Sequence, residues 1–482
     1  MNYQPILFVV GLLLSALGSL MLVPALFELV AGHPSWIRLL EAALMTLLCG
    51  AFFVLANRPH KRIELSLRET FLLTASCWLT LAAFASLPFL LTRVTTTTTD
   101  AFFEGISALT TTGATVLTGL EFTSKGILLW RAILQWVGGI GIIVMALTVL
   151  PLLRIGGMQL FHSEFSDRME KILPRVSQIT KAIFWTYAVL TLLCVCLLWL
   201  AGIDGFDAVC VGLTTVATGG MATSDQSVAH FKNPAVEIIM MVFMVIGAMT
   251  LLQFVRMLRG HRGALWQDGQ TRTFLCLVAL APSVMTLWRW EMQNVPFLKA
   301  LRESFFNTIA IMTTSGFTTT NYERWGSFAI IFFFILLFIG GCTGSTTSGI
   351  KILRVKIIYV LTKAQIRKLF RPHLVYVPTY NKQTIDSAVM GSVFMYLGLF
   401  VSTYAALCLG LSFLGLDFIT SLSGAASAIT NLGPGFGPLI GPSGTYTLLP
   451  TSAKWLLMGG MFLGRLELIT LLILFMPSFW RD

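Results

Sequence analysis

The chain has 482 residues, 56% hydrophobic and only 11% charged, with a mean hydropathy of +0.80 and a formal net charge of +11. Soluble domains carry about 25% charged residues, and a soluble chain this long would form two or three domains, each needing a charged surface. The composition cannot supply those surfaces, so an ordinary cytosolic enzyme is excluded and a polytopic membrane protein is expected.

From the N-terminus, the apolar stretch Ile6–Leu29 outruns the 7–15-residue core of a signal peptide and lacks a basic leader. It reads as a retained span. A bilayer core needs about 20 apolar residues per helix, and ten stretches qualify: 5–29, 37–56, 70–92, 126–151, 180–201, 235–258, 273–291, 327–350, 386–411 and 453–477. An even number puts both termini on one side. Linkers 57–69, 152–181, 256–272 and 351–385, with the C-terminal tail, hold 22 of the 33 Lys and Arg residues, and the opposite loops hold ten. The positive-inside rule then places both termini in the cytoplasm. Topology accounts for the basic excess, so no nucleic-acid partner is expected. The eight cysteines form no CxxC pair and read as small apolar side chains.

Four loops on the outer side are more informative. They are TDAFFEGISALTTTGATVLTG (Thr99–Gly119), GFDAVCVGLTTVATGGMATSD (Gly205–Asp225), RESFFNTIAIMTTSGFTTTNYE (Arg302–Glu323) and LDFITSLSGAASAITNLGPGFGP (Leu416–Pro438). Each is a short semi-apolar helical stretch running into a Thr/Ser/Asn-rich turn and a glycine. The focal glycines are Gly113, Gly219, Gly316 and Gly433, spaced 106, 97 and 117 residues apart. This is an internal repeat used four times, with the first two spans outside it. The expected organisation is an N-terminal helix pair (1–60) and four helix–pore loop–helix repeats at 61–165, 170–268, 269–371 and 382–482.

Such loops are too polar to span a bilayer and too apolar for free surface loops. A re-entrant hairpin fits, because irregular backbone at membrane depth survives only inside protein or along a watery path. Four hairpins around one axis place backbone carbonyls in a ring that can replace a cation's hydration shell. Glycine suits that position because it adopts positive φ and carries no side chain. Asp100, Asp207, Glu303 and Asp417 are expected to open the four short helices, where acids complement the positive N-terminus. Gly138, Gly139 and Gly141 read as helix-packing positions.

A second feature lies deeper. The eighth span is apolar from Ser327 to Ile339 and then breaks into GGCTGSTTSG (Gly340–Gly349). At about 1.5 Å per residue the break lies about 20 Å into the span. A Gly/Ser/Thr stretch there cannot face lipid and should face the ion path. Arg465, inside the tenth span, falls at similar depth, where a cation costs ~2.5–3.5 kcal/mol to insert. Glu467, two residues on, turns away from it by about 200°. The expected gate comprises Gly340, Gly341, Cys342, Thr343, Gly344, Ser345, Thr346, Thr347, Ser348, Gly349 and Arg465, forming a steric and electrostatic barrier. The alternative is that Arg465 pairs structurally with the loop's carbonyls.

TTTGAT (Thr110–Thr115), PLLRIGGMQLF (Pro151–Phe161), GGCTGSTTSGIK (Gly340–Lys351), TNLGPG (Thr430–Gly435) and GRLELIT (Gly464–Thr470) together resemble the TrkH-type subunits of the Trk/Ktr/HKT superfamily of potassium transporters. The resemblance covers essentially the whole chain. It implies an all-α integral membrane protein with a pseudo-fourfold channel-like pore, potassium as the transported ion, a homodimer among membrane lipids, and the bacterial cytoplasmic membrane as location. It also implies filter carbonyls from Thr111, Thr112 and Gly113; Ala217, Thr218 and Gly219; Thr314, Ser315 and Gly316; and Asn431, Leu432 and Gly433. Thr218 and Met221 depart from residues common in relatives. Plant relatives with Ser at the first glycine favour sodium; the four glycines here imply potassium. No GxxxxGK[ST], strand-borne GxGxxG, GxSxG or HExxH motif occurs. No cofactor and no enzymatic activity are therefore expected, and nucleotide control would come from a cytosolic TrkA-type ring docking on linkers such as Lys351–Arg371. The runner-up is a symporter coupling potassium to sodium or protons.

Overall fold

The computed structural model describes residues 3–59, 65–148, 176–261, 263–371, 373, 377–381 and 383–481. The motif Pro151–Phe161 and most of linker 152–181 lie outside these residues. Among the described residues the chain is helical apart from turns, loops, a lone bridge at Ile339 and Ile350, and a two-stranded hairpin, Thr379–Tyr380 against Gln383–Thr384.

Helices α1 (Gln4–Val30) and α2 (Trp36–Ala56) form an antiparallel pair. Gly11, Gly18 and Gly50 let their backbones approach closely; a methyl on Gly50 would lie 2.7 Å from the Ser15 nitrogen. The pair is tied to the rest by Glu28, which is buried and accepts a hydrogen bond from the Gly126 amide. α3 (Leu67–Ala85) starts with a capping box: Ser66 accepts from the Glu69 amide and Glu69 accepts from the Ser66 amide. After the short α4 (Leu87–Leu91), α5 (Thr98–Leu109) turns inward and α6 (Lys125–Thr148) leads back. The same order follows with α7 (Val176–Leu200), α8 (Gly205–Val216) and α9 (Pro234–Ala248). Next come α10 (Leu251–Leu258), α11 (Gly269–Gln293), α12 (Phe297–Met312), α13 (Ser327–Leu336) and α14 (Ile352–Phe370). α15 (Ser387–Phe413), α16 (Phe418–Thr430) and α17 (Thr451–Arg465) complete the series. The short helices α5, α8, α12 and α16 are largely buried at the centre.

Ten straight spans do not emerge. Seven described helices are long and apolar enough to cross a bilayer, and two bent pairs raise the number to nine. The expected span 235–258 turns by 95° between α9 and α10, and 453–477 turns by 110° after Arg465. The expected span 327–350 is helical only to Leu336, and much of the expected linker 351–385 is the helix α14. The cause is local chemistry. Gly340, Gly341, Gly344 and Gly349 are poor helix formers, and Gly344 and Gly349 adopt φ of 75° and 73°. The three interruptions meet, which supplies partners for the backbone groups each one frees.

Candidate ion pathway

The inner ends of α5, α8, α12 and α16 share one backbone pattern. Each helix runs into a residue in the left-handed region: Thr111 (φ 54°), Thr218 (51°), Thr314 (51°) and Asn431 (51°). The next amide then bonds back to the helix, Thr112 to Ser107, Gly219 to Thr214, Ser315 to Ala310 and Leu432 to Ser427, all through carbonyl oxygens. A glycine with positive φ follows: Gly113 (83°), Gly220 (80°), Gly316 (73°) and Gly433 (101°). Thr111–Gly113, Thr314–Gly316 and Asn431–Gly433 carry this backbone pattern at the positions named from the sequence. The second triplet shifts by one residue, to Thr218, Gly219 and Gly220, and Ala217 ends the helix as Thr110, Thr313 and Thr430 do. Two adjacent glycines leave the register ambiguous in sequence; only one of them takes the positive φ that excludes other residues.

These glycines close a ring. A methyl on Gly113 would collide with the carbonyl oxygen of Gly219, one on Gly220 with that of Ser315, and one on Gly316 with that of Leu432. A methyl on Gly433 would lie 2.7 Å from the carbonyl oxygen of Thr112, returning to the first segment. A cavity of about 410 Å3 is lined by all four glycines. Its walls are cross-linked between successive segments. Asp225 accepts from the Gly119 and Leu120 amides at 2.7 and 3.1 Å, and Ser227 accepts from the Thr318 amide at 3.2 Å. Glu323 accepts from the Gly437 amide, and Thr115 from the Tyr446 amide at 2.9 Å.

The acids near the four helices have diverse roles. Asp417 caps α16 through the Thr420 amide (3.1 Å). Thr97 caps α5, with Asp100 three residues in and 2.6 Å from Lys454 Nζ. Asp204, not Asp207, caps α8. Glu303 lies within α12, which begins six residues earlier at Phe297, and pairs with Arg289 at 2.8 Å. A residue not singled out in sequence, Glu104, pairs with Arg131 of α6 at 2.8 Å, both buried, and also accepts from the Thr115 hydroxyl and the Val116 amide.

Below the ring, Gly340–Gly349 packs into the break between α9 and α10. Its neck is held by Gly340 N to Ile350 O and Ile350 N to Phe338 O, each 3.0 Å. The Cys342 amide donates to the Ala248 carbonyl (2.9 Å) and the Thr346 amide to that of Gly247 (3.2 Å). Thr343 accepts from the Thr250 hydroxyl at 2.9 Å. Two contacts reach the ring segments: the Thr346 and Thr218 hydroxyls at 2.9 Å, and the Ser348 amide to the Thr314 hydroxyl at 3.1 Å. Arg465, 1% exposed, donates from Nη1 to the Thr346 carbonyl (3.0 Å) and Ser348 hydroxyl (2.9 Å), and from Nη2 to the Gly138 carbonyl (2.9 Å). It thereby bridges the loop to α6. Glu467 does not pair with it but with Arg354, which also stacks 3.6 Å from the Tyr396 ring centroid. Lys351 is buried and donates to the Thr347 carbonyl. A cavity of about 20 Å3 lies among these groups, room for about one water.

A family model described as TrkH, a cation transport protein, matches residues 39–481. This chain belongs to the TrkH family. It is 42% identical over its full length to the Trk system potassium uptake protein TrkI of Halomonas elongata, covering 98% of that protein. It is 37% identical to the Trk system potassium uptake protein TrkH of Vibrio parahaemolyticus, covering all of both. The crystal structure of the potassium transporter TrkH from Vibrio parahaemolyticus superposes with a TM-score of 0.91 at 34% identity, again covering both chains completely. As a TrkH family member the chain is a membrane transport protein, not an enzyme.

For this TrkH family member, three residues at the ring had no part in the sequence reading: Gly220, Gln135 and Tyr446. Gly220 was visible as half of a Gly-Gly pair. Gln135 was visible as an uncharged amide four residues after Arg131 in a mostly apolar span, a position where a polar group requires a partner. Nothing in the sequence distinguishes Tyr446 from other loop aromatics.

Proposed function

We propose that this chain forms a potassium-uptake pore in the bacterial cytoplasmic membrane, with both termini cytoplasmic and four pseudo-fourfold repeats carrying the filter. The observation that carries this reading is the closed sequence of glycine–carbonyl contacts, from Gly113 through Gly220 and Gly316 to Gly433 and back. Carbonyls at four-way junctions replace water around a dehydrated monovalent cation. The filter triplets are then Thr111–Gly113, Thr218–Gly220, Thr314–Gly316 and Asn431–Gly433. The relatives named as potassium uptake proteins support potassium as the ion.

Gly340–Gly349 and Arg465 act as the gate below the filter. Support comes from the loop's position against Thr218 and Thr314 and from the cationic side chain that fixes it there. Movement of the loop would have to break either its two bonds to Arg465 or the bond from Arg465 to Gly138. The exposed end of α14, with Lys363, Arg367, Lys368 and Arg371 beside exposed Ile366, Leu369 and Phe370, supports docking of a cytosolic TrkA-type nucleotide-binding ring. The first two cations of that linker, Lys351 and Arg354, are buried and take no part. A homodimer, each chain enclosing its own pore, completes the assembly.

The test is ion flux from purified protein in liposomes under imposed gradients. Current reversing at the potassium equilibrium potential, whatever the sodium and proton gradients, supports the pore. A reversal that follows either of those gradients supports coupled symport instead.

A further inference from the structure

The ring closes through four similar contacts, yet its carbonyls are not in four equal surroundings. Among the triplet carbonyls, two accept hydrogen bonds from side chains. Gly219 accepts from Gln135 Nε2 at 2.6 Å, while Gln135 Oε1 accepts from the Met221 amide at 3.1 Å. Because the Met221 amide can only donate, the orientation of the Gln135 amide is fixed by its partners. Gln135 is fully buried and comes from α6, so it clamps the second segment from the first repeat's helix. One layer outward, Gly433 accepts from the Tyr446 hydroxyl and the Ser427 hydroxyl, both at 2.7 Å. The glycine contacts run from first to second, third and fourth segment in turn, so the second and fourth face each other across the ring. The asymmetry therefore lies on one diagonal.

We propose that Gln135 and Tyr446 are positioning residues that set cation specificity, each holding one carbonyl of one layer, so that neither layer presents four equivalent oxygens. The proposal rests on reading the ring as the cation path. A carbonyl oxygen already bonded to N–H or O–H offers a cation a weaker field, and its direction is fixed by the donor. Weakening the field penalises the smaller ion more, because sodium depends on strong coordination to offset its larger dehydration cost. Removing either donor strengthens the oxygen's pull and frees it to close around a smaller ion. Potassium-over-sodium discrimination should then fall.

The experiment compares potassium and sodium flux ratios of wild type, Gln135→Glu and Tyr446→Phe in liposomes. Glutamate keeps an acceptor for the Met221 amide; burial favours its protonated form, which could still donate to Gly219, so the ratio is read across alkaline pH, where the ionised side chain has no donor. Phenylalanine keeps the ring packed near Phe103, whose centroid lies 5.3 Å away, and leaves Ser427 as the remaining donor. The flux ratio should fall about tenfold in Gln135→Glu and about threefold in Tyr446→Phe, the scale of one hydrogen bond and of part of one. An unchanged ratio in Gln135→Glu inserted at wild-type level overturns the proposal, as does lower insertion with an unchanged ratio. If Gln135→Glu does not insert, Tyr446→Phe decides by the same readout. Selective wild-type flux with unchanged variants removes only the role of these two side chains; absence of potassium flux in wild type removes the pore reading itself.

Discussion

The outer half of the pathway is built four times, the inner half once. At the ring, four segments from four parts of the chain repeat one backbone sequence of left-handed residue, back-bonded amide and positive-φ glycine. Below it, three unlike interruptions converge on a loop fixed by contacts that occur once each, those of Arg465 among them. A cavity of about 410 Å3 is lined by the four glycines, and one of about 20 Å3 lies between the loop and Arg465. A ring that must surround an ion benefits from equivalent walls on every side. A barrier that must move needs contacts that can be broken at one place, and single-copy contacts satisfy that.

The largest effect should come from the glycines, because their neighbours are backbone atoms that cannot give way. Gly220→Ala should sharply slow growth of an uptake-deficient host at limiting potassium, as Gly113→Ala should. Alanine at positive φ costs about 1 kcal/mol before any collision. Gly219→Ala should be milder, since the added methyl meets the end of the Gln135 side chain rather than a carbonyl. Growth rates at limiting potassium will rank the three. Next, Arg465→Ala should raise basal cation flux about tenfold without any cytosolic partner, because three bonds restraining the loop are lost; liposome flux measures this.

A smaller effect tests the frame around the ring rather than the ring. Arg131→Met leaves Glu104 buried without its cation, which should destabilise the folded protein by ~3–5 kcal/mol, seen as a lower unfolding temperature in detergent. The smallest effect lies in the outer loops. Glu121 accepts from the Ser224 hydroxyl (2.6 Å) and the Asp225 amide, and these bonds, the Ser224 hydroxyl first, hold its carboxyl below the usual range. A depressed folded-state pKa contributes stability above the unfolded value and loses it as pH falls through the folded one. Glu121→Gln should therefore cost a fraction of a kcal/mol at neutral pH, and the difference from wild type should vanish in acid.

The same contrast explains what the sequence disclosed. The four equivalent turns were legible because the same backbone demand, made four times, leaves the same Thr/Ser/Asn-then-Gly signature. The register of the second was not, because Gly219 and Gly220 are identical as letters and differ only in φ. The single-copy inner half was legible only where chemistry was conspicuous: a charge at Arg465 and a glycine-rich run at 340–349. Its consequences were hidden, since the 95° and 110° bends depend on partners more than 70 residues away, such as Gly247 for Thr346 and Gly138 for Arg465. Lys351 and Arg354 look like linker cations and are buried; Lys351 bonds back to Thr347 inside the loop, and Glu467, the partner of Arg354, becomes its neighbour only in the folded chain.

The closed ring is tested most directly by the potassium-to-sodium flux ratio of Gly113→Ser and Gly220→Ser proteins in liposomes, measured side by side with wild type. If the two glycines occupy one ring, both variants lose discrimination to a similar extent, with sodium gaining on potassium. Wild-type discrimination in Gly220→Ser alongside its loss in Gly113→Ser would contradict the account.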